Sequence, residues 1–384
     1  MTSAPVLVID DAIAHGSLAL ASLATLHPVR AAEIPETVAR IQPDGLLVRS
    51  VTRVDAALLD AAPSLRFVAT ATAGTDHLDH AELDARGITH ASAAGCNAQA
   101  VAEWVLAALT RFEARIEAGR EAGTLARGPI GVVGFGNVGT RLVALLRRLG
   151  HEVLACDPPR ARAGDTEEPL VELAELWERC AIVSFHVPLI TSGRDRTLAY
   201  LDAHAPAVGT SSSAEPKLVI NTSRGPVIRD AALDRPDVGA FVLDVWDGEP
   251  ELHWGRLRDP KLWLASPHVA GYSLEAKIAA TRMMHEAVCA WLGRPPSWTG
   301  AELLPGLAVD PGAVTAAAAL AGAFDFDDDD ARVRALADAE LSTRASGFEA
   351  LRRGYALRRE FSAWTVPAGH AEHERLVRAG FRAV

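Results

Sequence analysis

The stretch that decides the fold is IGVVGFGNVG, residues 130–139. An apolar run typical of a β-strand leads into three glycines spaced G-x-G-x-x-G, and a helical pattern follows. Gly134 permits a tight turn, Gly136 lets the backbone approach a pyrophosphate, and Gly139 lets the helix pack on the strand. The spacing alone is weak evidence, but its place between a strand and a helix predicts a dinucleotide-binding turn. The residues expected at the dinucleotide are Gly134, Gly136, Asn137, Val138 and Gly139.

The residue after the next strand indicates which dinucleotide is bound. The run Glu152–Cys156 reads as a strand, and Asp157 follows it, 18 residues after Gly139. A carboxylate at this position binds the adenosine ribose hydroxyls and repels a 2′-phosphate. The sequence therefore predicts NAD as the cofactor, in preference to NADP.

Three charged or titratable residues follow later strands of the same α/β region: Arg224, Glu249 and His268. Ligands of an open parallel sheet bind beyond the C-terminal ends of its strands, so we expect these loops to converge. A histidine can accept the proton of an alcohol near neutral pH, and a carboxylate beside it orients the ring and favours its protonated form. An arginine can hold a substrate carboxylate. Alone, each has an ordinary structural explanation, but the set downstream of a dinucleotide turn favours alcohol oxidation.

Two segments near the start of the chain are candidates for the other side of a substrate site. Residues 70–77, TATAGTDH, follow a predicted strand, and their small side chains would let backbone N–H groups face an anion. Residues 49–53, RSVTR, also lie at a strand end. An ordinary strand–helix turn explains either segment about equally well from the pattern alone. We expect Gly74 and Thr75 to contact a substrate carboxylate, and Arg49 and Arg53 are candidates for a substrate phosphate.

Alternating strand and helix patterns predict a parallel α/β fold. A long helical pattern at 98–118 contains no Pro, and helical patterns in the last part of the chain cover 331–345 and 347–357. The Ser-rich stretch 209–213 is expected to be a surface loop, and the acidic run 325–330 a solvated helix entry. The predicted strands and helices of the first region are Val6–Ile9, Gly45–Val48, Arg66–Ala69, Ala56–Ala62 and Ala81–Ala85.

Composition limits the remaining classes of function. The chain has 384 residues and a net charge of −11, without a block of Lys or Arg, so we expect no nucleic-acid or membrane partner. Four scattered cysteines indicate neither a disulfide framework nor a metal site. The apolar run at Val6 stops at Asp10, which is typical of a first strand and not of a signal peptide. We therefore expect a cytoplasmic protein without a bound metal.

The ordered motifs resemble those of the D-isomer specific 2-hydroxyacid dehydrogenases: a glycine turn, then N-x-x-R-G, then G-E-P, then Pro-His. The resemblance implies two doubly wound parallel-sheet domains, a flavodoxin-like substrate domain (1–97 and 273–294) and a Rossmann NAD domain (98–272). It also implies a small C-terminal α+β dimerisation domain (295–384), because the stretch 348–364 resembles an extra domain that most of the family lacks. The segments that carry the resemblance are 48–54, 67–79, 95–105, 134–139, 156–161, 243–252, 267–277 and 348–364.

The resemblance also implies roles for individual residues. Arg224, Glu249 and His268 match the family's active-site positions, with His268 as proton donor and acceptor. Ser50, Thr72 and Tyr272 match positions that contact substrate. The positions that match NAD contacts are Asp157, Thr222, Ser223, Asp244 and Gly271.

The implied activity is NAD-dependent oxidation of 4-phospho-D-erythronate at C2, by a homodimer, in pyridoxal 5′-phosphate biosynthesis. Two alternatives remain open at this point. One is a general D-2-hydroxyacid reductase acting on glyoxylate, hydroxypyruvate or phosphoglycerate. The other is a non-enzymatic NAD-sensing scaffold similar to the C-terminal binding protein corepressors. Two departures from the family pattern affect the NAD region: the Ser-rich stretch 209–213, and a segment between Arg229 and Phe241 that looks shortened.

Overall fold

The computed structural model describes residues 4–122, 125–206, 216–309 and 315–384. The chain forms two compact units, one of residues 1–97 and 273–305 and the other of residues 98–272 and 306–384. The C-terminal residues from 306 onward belong to the second unit, so their separation as a third domain stays a prediction. The Ser-rich stretch 209–213 lies outside the described residues.

The first unit is built on a five-stranded parallel sheet with strand order 2-1-3-4-5, the flavodoxin-like order that was expected. Strands β1, β3 and β4 are almost entirely buried, and apolar clusters cover both faces of the sheet. The strands are β1 Val6–Asp10, β2 Thr25–Val29, β3 Gly45–Val48, β4 Phe67–Thr70 and β5 Thr89–Ser92. The helices are α1 Gly16–Leu20, α2 Ile34–Ile41, α3 Ala56–Ala61, α4 His80–Ala85 and α12 Leu274–Trp291.

Strands β2 and β5 form the two edges of this sheet, and the sequence pattern missed both. Pro28 lies inside β2, where it argues against a strand, yet an edge strand tolerates proline because one side of it needs no ladder hydrogen bond. β5 is only partly buried and carries His90, so it lacks an apolar run. Edge strands are therefore the part of this sheet that local pattern describes worst.

The second unit contains a six-stranded parallel sheet in the order β11-β10-β9-β8-β6-β7. A single parallel bridge between Ala155 and Leu170 extends the β7 edge, which gives the strand succession of a Rossmann fold. The strands are β6 Ile130–Val133, β7 Val153–Cys156, β8 Ile182–Phe185, β9 Lys217–Asn221, β10 Val238–Leu243 and β11 Leu262–Ala265. The helices before residue 306 are α5 Ala98–Arg111, α6 Glu113–Glu121, α7 Asn137–Arg148, α8 Pro158–Ala163, α9 Leu173–Arg179, α10 Tyr200–His204 and α11 Asp230–Leu233.

The carboxyl ends of these six strands lie in register. Each strand's last residue is the partner of its neighbour's last residue, so the loops that follow all leave from one edge of the sheet. That edge is the place where an open parallel sheet binds its ligands. The row of last residues runs Cys156, Val133, Phe185, Asn221, Leu243 and Ala265.

The C-terminal residues add a small sheet and four helices to the second unit. Aromatic side chains join them to α5: the Trp104 ring meets Phe326 edge-on, with ring centroids 5.4 Å apart. Phe361 stacks on Phe381 with centroids 4.9 Å apart. The elements are β12 Leu307–Ala308, β13 Trp364–Val366, β14 Arg382–Ala383, α13 Ala316–Ala321, α14 Phe326–Ala335, α15 Leu341–Arg353 and α16 His373–Ala379. The expected fold, two parallel-sheet domains with a small additional α+β sheet region, is confirmed.

Three helical expectations were wrong. The pattern at 98–118 is two helices, because Phe112 leaves helical geometry and its ring packs against Trp263, 5.4 Å away. The patterns 331–345 and 347–357 are replaced by α14 and α15, with extended backbone at Glu340 between them. No Pro or Gly marks that break, so it is set by burial of both helices in one apolar cluster.

The acidic run 325–330 does begin a helix, and the Asp325 side chain caps it by accepting from the Asp328 N–H at 3.1 Å. It is not fully solvated, since Asp329 is buried. Burial raises the pKa of Asp329 to about 7. The shortened segment before β10 contains only the four-residue helix α11. Among the described residues, none of the helices has the length and apolar character needed to cross a membrane.

Candidate active site

The glycine turn shows why each glycine stands where it does. Gly134 has φ 93°, and a Cβ there would lie 2.5 Å from the carbonyl oxygen of His186. A Cβ on Gly139 would lie 1.9 Å from the carbonyl oxygen of Gly134, so helix α7 can approach the turn only without a side chain. A Cβ on Gly136 would meet nothing within 4 Å. Gly136 therefore borders open space, which fits the close approach of a pyrophosphate.

The start of α7 offers backbone donors to that open space. In the described part of the chain, the N–H groups of Gly136, Asn137 and Val138 donate to no protein atom, as is usual at a helix N-terminus. Asp157 braces the turn from the next strand end, accepting from the Phe135 N–H at 2.9 Å and the Arg160 N–H at 3.1 Å. Each carboxylate oxygen keeps a second lone pair that a ribose hydroxyl can use. These groups fit a dinucleotide.

The arginine loop lies against the loop that carries Glu249. A Cβ on Gly225 would fall 1.7 Å from the carbonyl oxygen of Trp246, so only glycine allows this approach. Asn221 shapes the turn, with its amide donating to the Arg224 carbonyl at 3.1 Å and its oxygen accepting from the Ser223 hydroxyl at 2.9 Å. The N-x-x-R-G spacing is thus explained by backbone geometry as well as by the arginine.

Glu249 and His268 form a direct pair, with His268 Nδ1 hydrogen-bonded to Glu249 Oε2 at 2.8 Å. The other oxygen of Glu249 accepts from the Trp246 N–H at 2.7 Å. Burial alone would raise the pKa of Glu249, but the charge and hydrogen bond of His268, with the Trp246 bond, hold it below its ordinary value. The carboxylate is therefore ionised at neutral pH and fixes the orientation of the ring.

His268 also has an unusual backbone. Its φ is 60°, in the left-handed region, which costs about 1–3 kcal/mol for a residue with a side chain and persists only where the surroundings enforce it. Asp244 supplies part of that enforcement, accepting from the Val269 N–H at 2.7 Å and the Ala270 N–H at 3.0 Å. It also accepts from the Ser266 hydroxyl at 2.6 Å. Asp244 is buried with both oxygens engaged, so its direct contact with NAD stays a prediction.

The pair can act in general acid–base chemistry. Because Nδ1 is bonded to a carboxylate, the neutral ring carries its proton there, and the lone pair of Nε2 is left to accept one. Among the described residues, Nε2 of His268 has no protein partner. His268 is partly exposed, so a substrate hydroxyl can reach it. Arg224 follows β9, the strand next to the one that precedes Glu249, and it is likewise only partly buried.

Other residues expected to contact the cofactor also lie at the carboxyl edge of this sheet. Thr222 Oγ1 lies 3.2 Å from Nδ1 of His186, and the second ring nitrogen of His186 lies 2.9 Å from Ser184 Oγ. Loss of solvent contact lowers the pKa of His186 to about 3, so the ring is neutral. The sequence interpretation missed His186, although its signal was present as a polar residue just after the apolar strand β8. Gly271 and Tyr272 follow His268, and the Tyr272 ring lies edge-on to Tyr355 at 6.0 Å.

The first unit has its own donor-rich loop after β4. Thr72 donates its hydroxyl to the Gly74 carbonyl at 2.9 Å and lies 2.8 Å from the Thr70 hydroxyl. Of the backbone that the structure describes here, the N–H groups of Ala73, Gly74 and Thr75 donate to no protein atom. Three successive amides without a partner are suited to bind an anion.

The cations proposed for a phosphate differ in their surroundings. Arg49 is partly buried, and its Nε donates to the buried Asp10 at 3.0 Å. Arg53 is 81% exposed and pairs with Asp55 at 3.4 Å, whereas Arg49 is tied to a buried carboxylate. Ser50 is exposed between them. A third cation was missed: burial lowers the pKa of Lys277, near the start of α12, and the charge of Arg49 lowers it further.

No group of three or more His, Cys, Asp or Glu side chains in the described ranges is arranged to hold a metal ion. The four cysteines are free thiols. Burial raises the pKa of Cys156 and of Cys180 to about 12, which keeps both thiols protonated and unreactive.

Comparison with known proteins agrees with this geometry. Residues 17–298 match the model of the D-isomer specific 2-hydroxyacid dehydrogenase catalytic domain, and residues 309–380 match a domain of unknown function. The chain is 42% identical over 363 residues to an erythronate-4-phosphate dehydrogenase of Salinibacter ruber, covering 88% of both chains. It is 38% identical over 390 residues to one of Aeromonas hydrophila, covering 98% of both.

Solved structures share the fold at lower identity. A glyoxylate/hydroxypyruvate reductase of Sinorhizobium meliloti, in complex with NADP and malonate, matches with a TM-score of 0.59 and 21% identity. It covers 76% of this chain and 94% of its own. A D-lactate dehydrogenase of Aquifex aeolicus, complexed with NAD and lactic acid, matches with a TM-score of 0.55 and 21% identity, covering 75% and 95%. The chain belongs to the D-isomer specific 2-hydroxyacid dehydrogenase family.

Proposed function

We propose that this chain oxidises 4-phospho-D-erythronate at C2 to (3R)-3-hydroxy-2-oxo-4-phosphooxybutanoate with NAD, in pyridoxal 5′-phosphate biosynthesis. The observation that carries the reaction class is the bonded pair of Glu249 and His268 on the sheet edge that also carries the glycine turn. The substrate is supported by the erythronate-4-phosphate dehydrogenases that match 88–98% of the chain. No described feature favours a corepressor scaffold over an enzyme.

In this proposal the C2 hydroxyl gives its proton to Nε2 of His268 while the C2–H bond breaks and the carbonyl forms. NAD, held at the glycine turn, would supply the acceptor for the hydride that leaves C2. Glu249 holds the ring through Nδ1 and stabilises the imidazolium that results. In the reverse direction the imidazolium returns the proton to the alkoxide oxygen.

The C1 carboxylate of the substrate requires donors, because an acidic chain of net charge −11 does not attract anions by itself. Arg224 can supply a paired hydrogen bond to it. Gly74 and Thr75, which the sequence predicts to contact a carboxylate, have N–H groups that donate to no atom among the described residues. Ser50, Thr72 and Tyr272 are assigned to substrate on the family resemblance.

The phosphate is assigned to Arg49 and Lys277, because the charge of Arg49 acts on the partly desolvated Lys277 within the first unit. Two neighbouring cations repel each other, and a phosphate dianion between them relieves that repulsion. Arg53 is largely exposed and pairs with Asp55 in solvent, so we expect it to contribute little to phosphate binding. Lys277→Met should raise KM for the phosphorylated substrate by about 10- to 100-fold, the value of a charged hydrogen bond. Arg53→Met is the matched control, and an equal effect on phosphorylated and unphosphorylated substrates would contradict the assignment.

The activity is tested by steady-state kinetics with NAD on a substrate panel. The panel contains 4-phospho-D-erythronate, D-erythronate, D-glycerate and 3-phospho-D-glycerate, with 2-oxo acids added as acceptors in case NADH is released slowly. We expect the highest kcat/KM for 4-phospho-D-erythronate. A higher kcat/KM for another hydroxy acid would replace this function with that of a general D-2-hydroxyacid dehydrogenase.

The remaining parts of the proposal concern assembly and place. We propose a cytoplasmic homodimer formed through the C-terminal segment, on the resemblance of residues 348–364 to a dimerisation domain. Sedimentation equilibrium of the full chain tests the dimer. A mass of one chain at assay concentration would exclude it.

A further inference from the structure

The loop that carries His268, residues 266–272, is held on two sides. Its N–H groups at Val269 and Ala270 are taken by Asp244 at 2.7 and 3.0 Å, as described above. One turn forms within the loop, where the Tyr272 N–H donates to the Val269 carbonyl at 2.8 Å. This leaves the carbonyl groups at the end of the loop to be satisfied by another part of the chain.

Arg358, from the C-terminal segment, satisfies them. Its guanidinium donates to the carbonyl of Tyr272 at 3.0 Å and also to that of Ala270. The bond to Tyr272 comes from Nη1 and the bond to Ala270 from Nη2. Nη2 also donates to the carbonyl of Ala100, in the first turn of α5, at 2.7 Å. The chain enters this unit between 97 and 98 and leaves it between 272 and 273. One side chain therefore bonds to both the entering and the leaving segment, which lie 258 and 86 residues away in sequence.

The surroundings make Arg358 a fixed part of the unit. Its side chain is 8% exposed, and the guanidinium lies over the Phe324 ring, 4.7 Å from the centroid. Burial lowers the pKa of Arg358, and the charges of nearby groups, among them the buried Glu360, oppose that shift. Glu103 accepts from the Phe361 N–H at 2.8 Å, so the short 3₁₀ turn that begins at Phe361 is attached to α5 as well.

A left-handed His268 needs such support from both sides. Asp244 fixes the donors of the loop and Arg358 fixes its acceptors, so the two charged groups determine the path of residues 268–272. A guanidinium suits this task because its planar fork can reach several carbonyl groups at once. An apolar contact could fill the space but could not direct the carbonyls.

We propose that Arg358 is a positioning residue for His268, and that the C-terminal segment thereby contributes to the chemical step as well as to stability. The inference rests on the proposed dehydrogenase function for its kinetic readout. It assigns a role in catalysis to the region of residues 309–380, whose matching domain family has no known function. The role is indirect, since Arg358 touches backbone and not the reacting groups.

The test compares four variants of the full chain. Arg358→Met removes the fork, and Arg358→Lys keeps the charge but reaches fewer carbonyls. Phe381→Leu removes buried contacts in the same segment without touching the loop. Arg353→Met removes an arginine from the exposed end of α15. Thermal unfolding and kcat are measured for all four, with kcat taken well below each midpoint.

A positioning role predicts that Arg358→Met lowers kcat at least tenfold in folded protein, and that Arg358→Lys lowers it less. Phe381→Leu should lower the melting temperature and leave kcat unchanged, and Arg353→Met should change neither. If Arg358→Met does not fold, Arg358→Lys carries the same test. An unchanged kcat in a folded Arg358 variant would overturn the proposal.

A second readout does not depend on the substrate. The NMR signal of the His268 Hε1 proton, assigned by its loss in His268→Gln, should move in the Arg358 variants and stay in place in Phe381→Leu. If the wild-type chain turns over another 2-hydroxy acid, that acid replaces 4-phospho-D-erythronate in the assay, so the two proposals fail separately. A His268 signal that is the same in all variants would contradict the positioning role.

Discussion

The glycine turn and the histidine loop lie on the same edge of one sheet but are built in opposite ways. The turn depends on the absence of side chains at Gly134 and Gly139, because a Cβ at either position would clash with backbone. Both glycines lie within ten residues of continuous sequence. The loop is shaped by buried charged groups, Asp244 and Arg358, and the latter comes from 90 residues further along the chain. The motif of the turn can therefore be recognised in local sequence, whereas the path of the histidine loop depends on a residue far along the chain.

The difference separates binding from chemistry. A change in the turn should first affect NAD affinity, because we expect the turn to contact the pyrophosphate. A change in the loop should first affect kcat, because the loop carries His268, the proposed proton acceptor. Variants of the turn and of the loop should therefore change NAD affinity and kcat separately.

The largest effect is expected from His268→Ala. Loss of the general base should lower kcat by about 10²- to 10⁴-fold and leave NAD affinity close to that of the wild type. Steady-state kinetics with NAD-binding titration measure both. His253→Ala, at an exposed histidine that pairs with Asp230, is the control and should leave kcat unchanged. Near-normal turnover of His268→Ala would remove His268 from the mechanism.

Gly134→Ala should affect the glycine turn, and with it NAD affinity. The new Cβ would lie 2.5 Å from the His186 carbonyl oxygen, so the turn must shift and NAD affinity should fall at least tenfold. Gly150→Ala is a matched control, because Gly150 has φ 88° against 93° but open space around its Cβ. The control should lose only about 1–2 kcal/mol of stability, because an alanine in the left-handed conformation is strained. Equal loss of NAD affinity in both variants would contradict the steric account.

Glu249→Gln should lower kcat by about 10- to 100-fold, the equivalent of one charged hydrogen bond. The amide can still accept from the Trp246 N–H, so the loop should fold while the charge beside His268 is lost. In the wild type the pKa of Glu249 is lowered, so its stabilising contribution is present above the unfolded value of 4.5 and is lost as pH falls below it. In Glu249→Gln the free energy of unfolding should therefore fall less steeply as pH drops. Chemical unfolding at several pH values measures this slope.

The smallest effect concerns the support of the loop. Burial, with the charge of Glu360, raises the pKa of Glu103 from 4.5 to about 8. The folded state therefore holds a proton that the unfolded state has lost, and wild-type stability should fall as pH rises from about 4.5 to 8. Glu103→Gln should reduce this slope, whereas the exposed Glu178→Gln should not. An unchanged slope in Glu103→Gln would show that this carboxyl group is ionised in the fold.

These contrasts explain what could be predicted from the sequence. The strand–turn–helix at 130–139 and the three strand-end residues Arg224, Glu249 and His268 follow from local pattern, because a parallel sheet gathers its loops on one edge. The edge strand that contains Pro28 and the helix break at Phe112 were not predictable, because tertiary packing decides both.

The supporting residues were missed for a related reason. Arg358 and Glu103 read as an ordinary helix-rich charged pattern, and only the folded chain shows that both are buried and lie near each other. Lys277 similarly looks like a surface lysine of an amphipathic helix until burial beside Arg49 is seen. Buried charge is the feature that single-sequence patterns describe least well, since its cost is offset by partners far along the chain.

The central claim is that the turn holds NAD and His268 accepts the C2 hydroxyl proton, so that hydride can leave C2 of 4-phospho-D-erythronate for the cofactor. A single-turnover experiment with C2-deuterated substrate and excess enzyme loaded with NAD tests it directly. We predict one equivalent of reduced cofactor carrying the deuterium, formed at least 100-fold more slowly by His268→Ala. Absence of deuterated NADH while NAD is bound, or equal rates in the two proteins, would contradict the account.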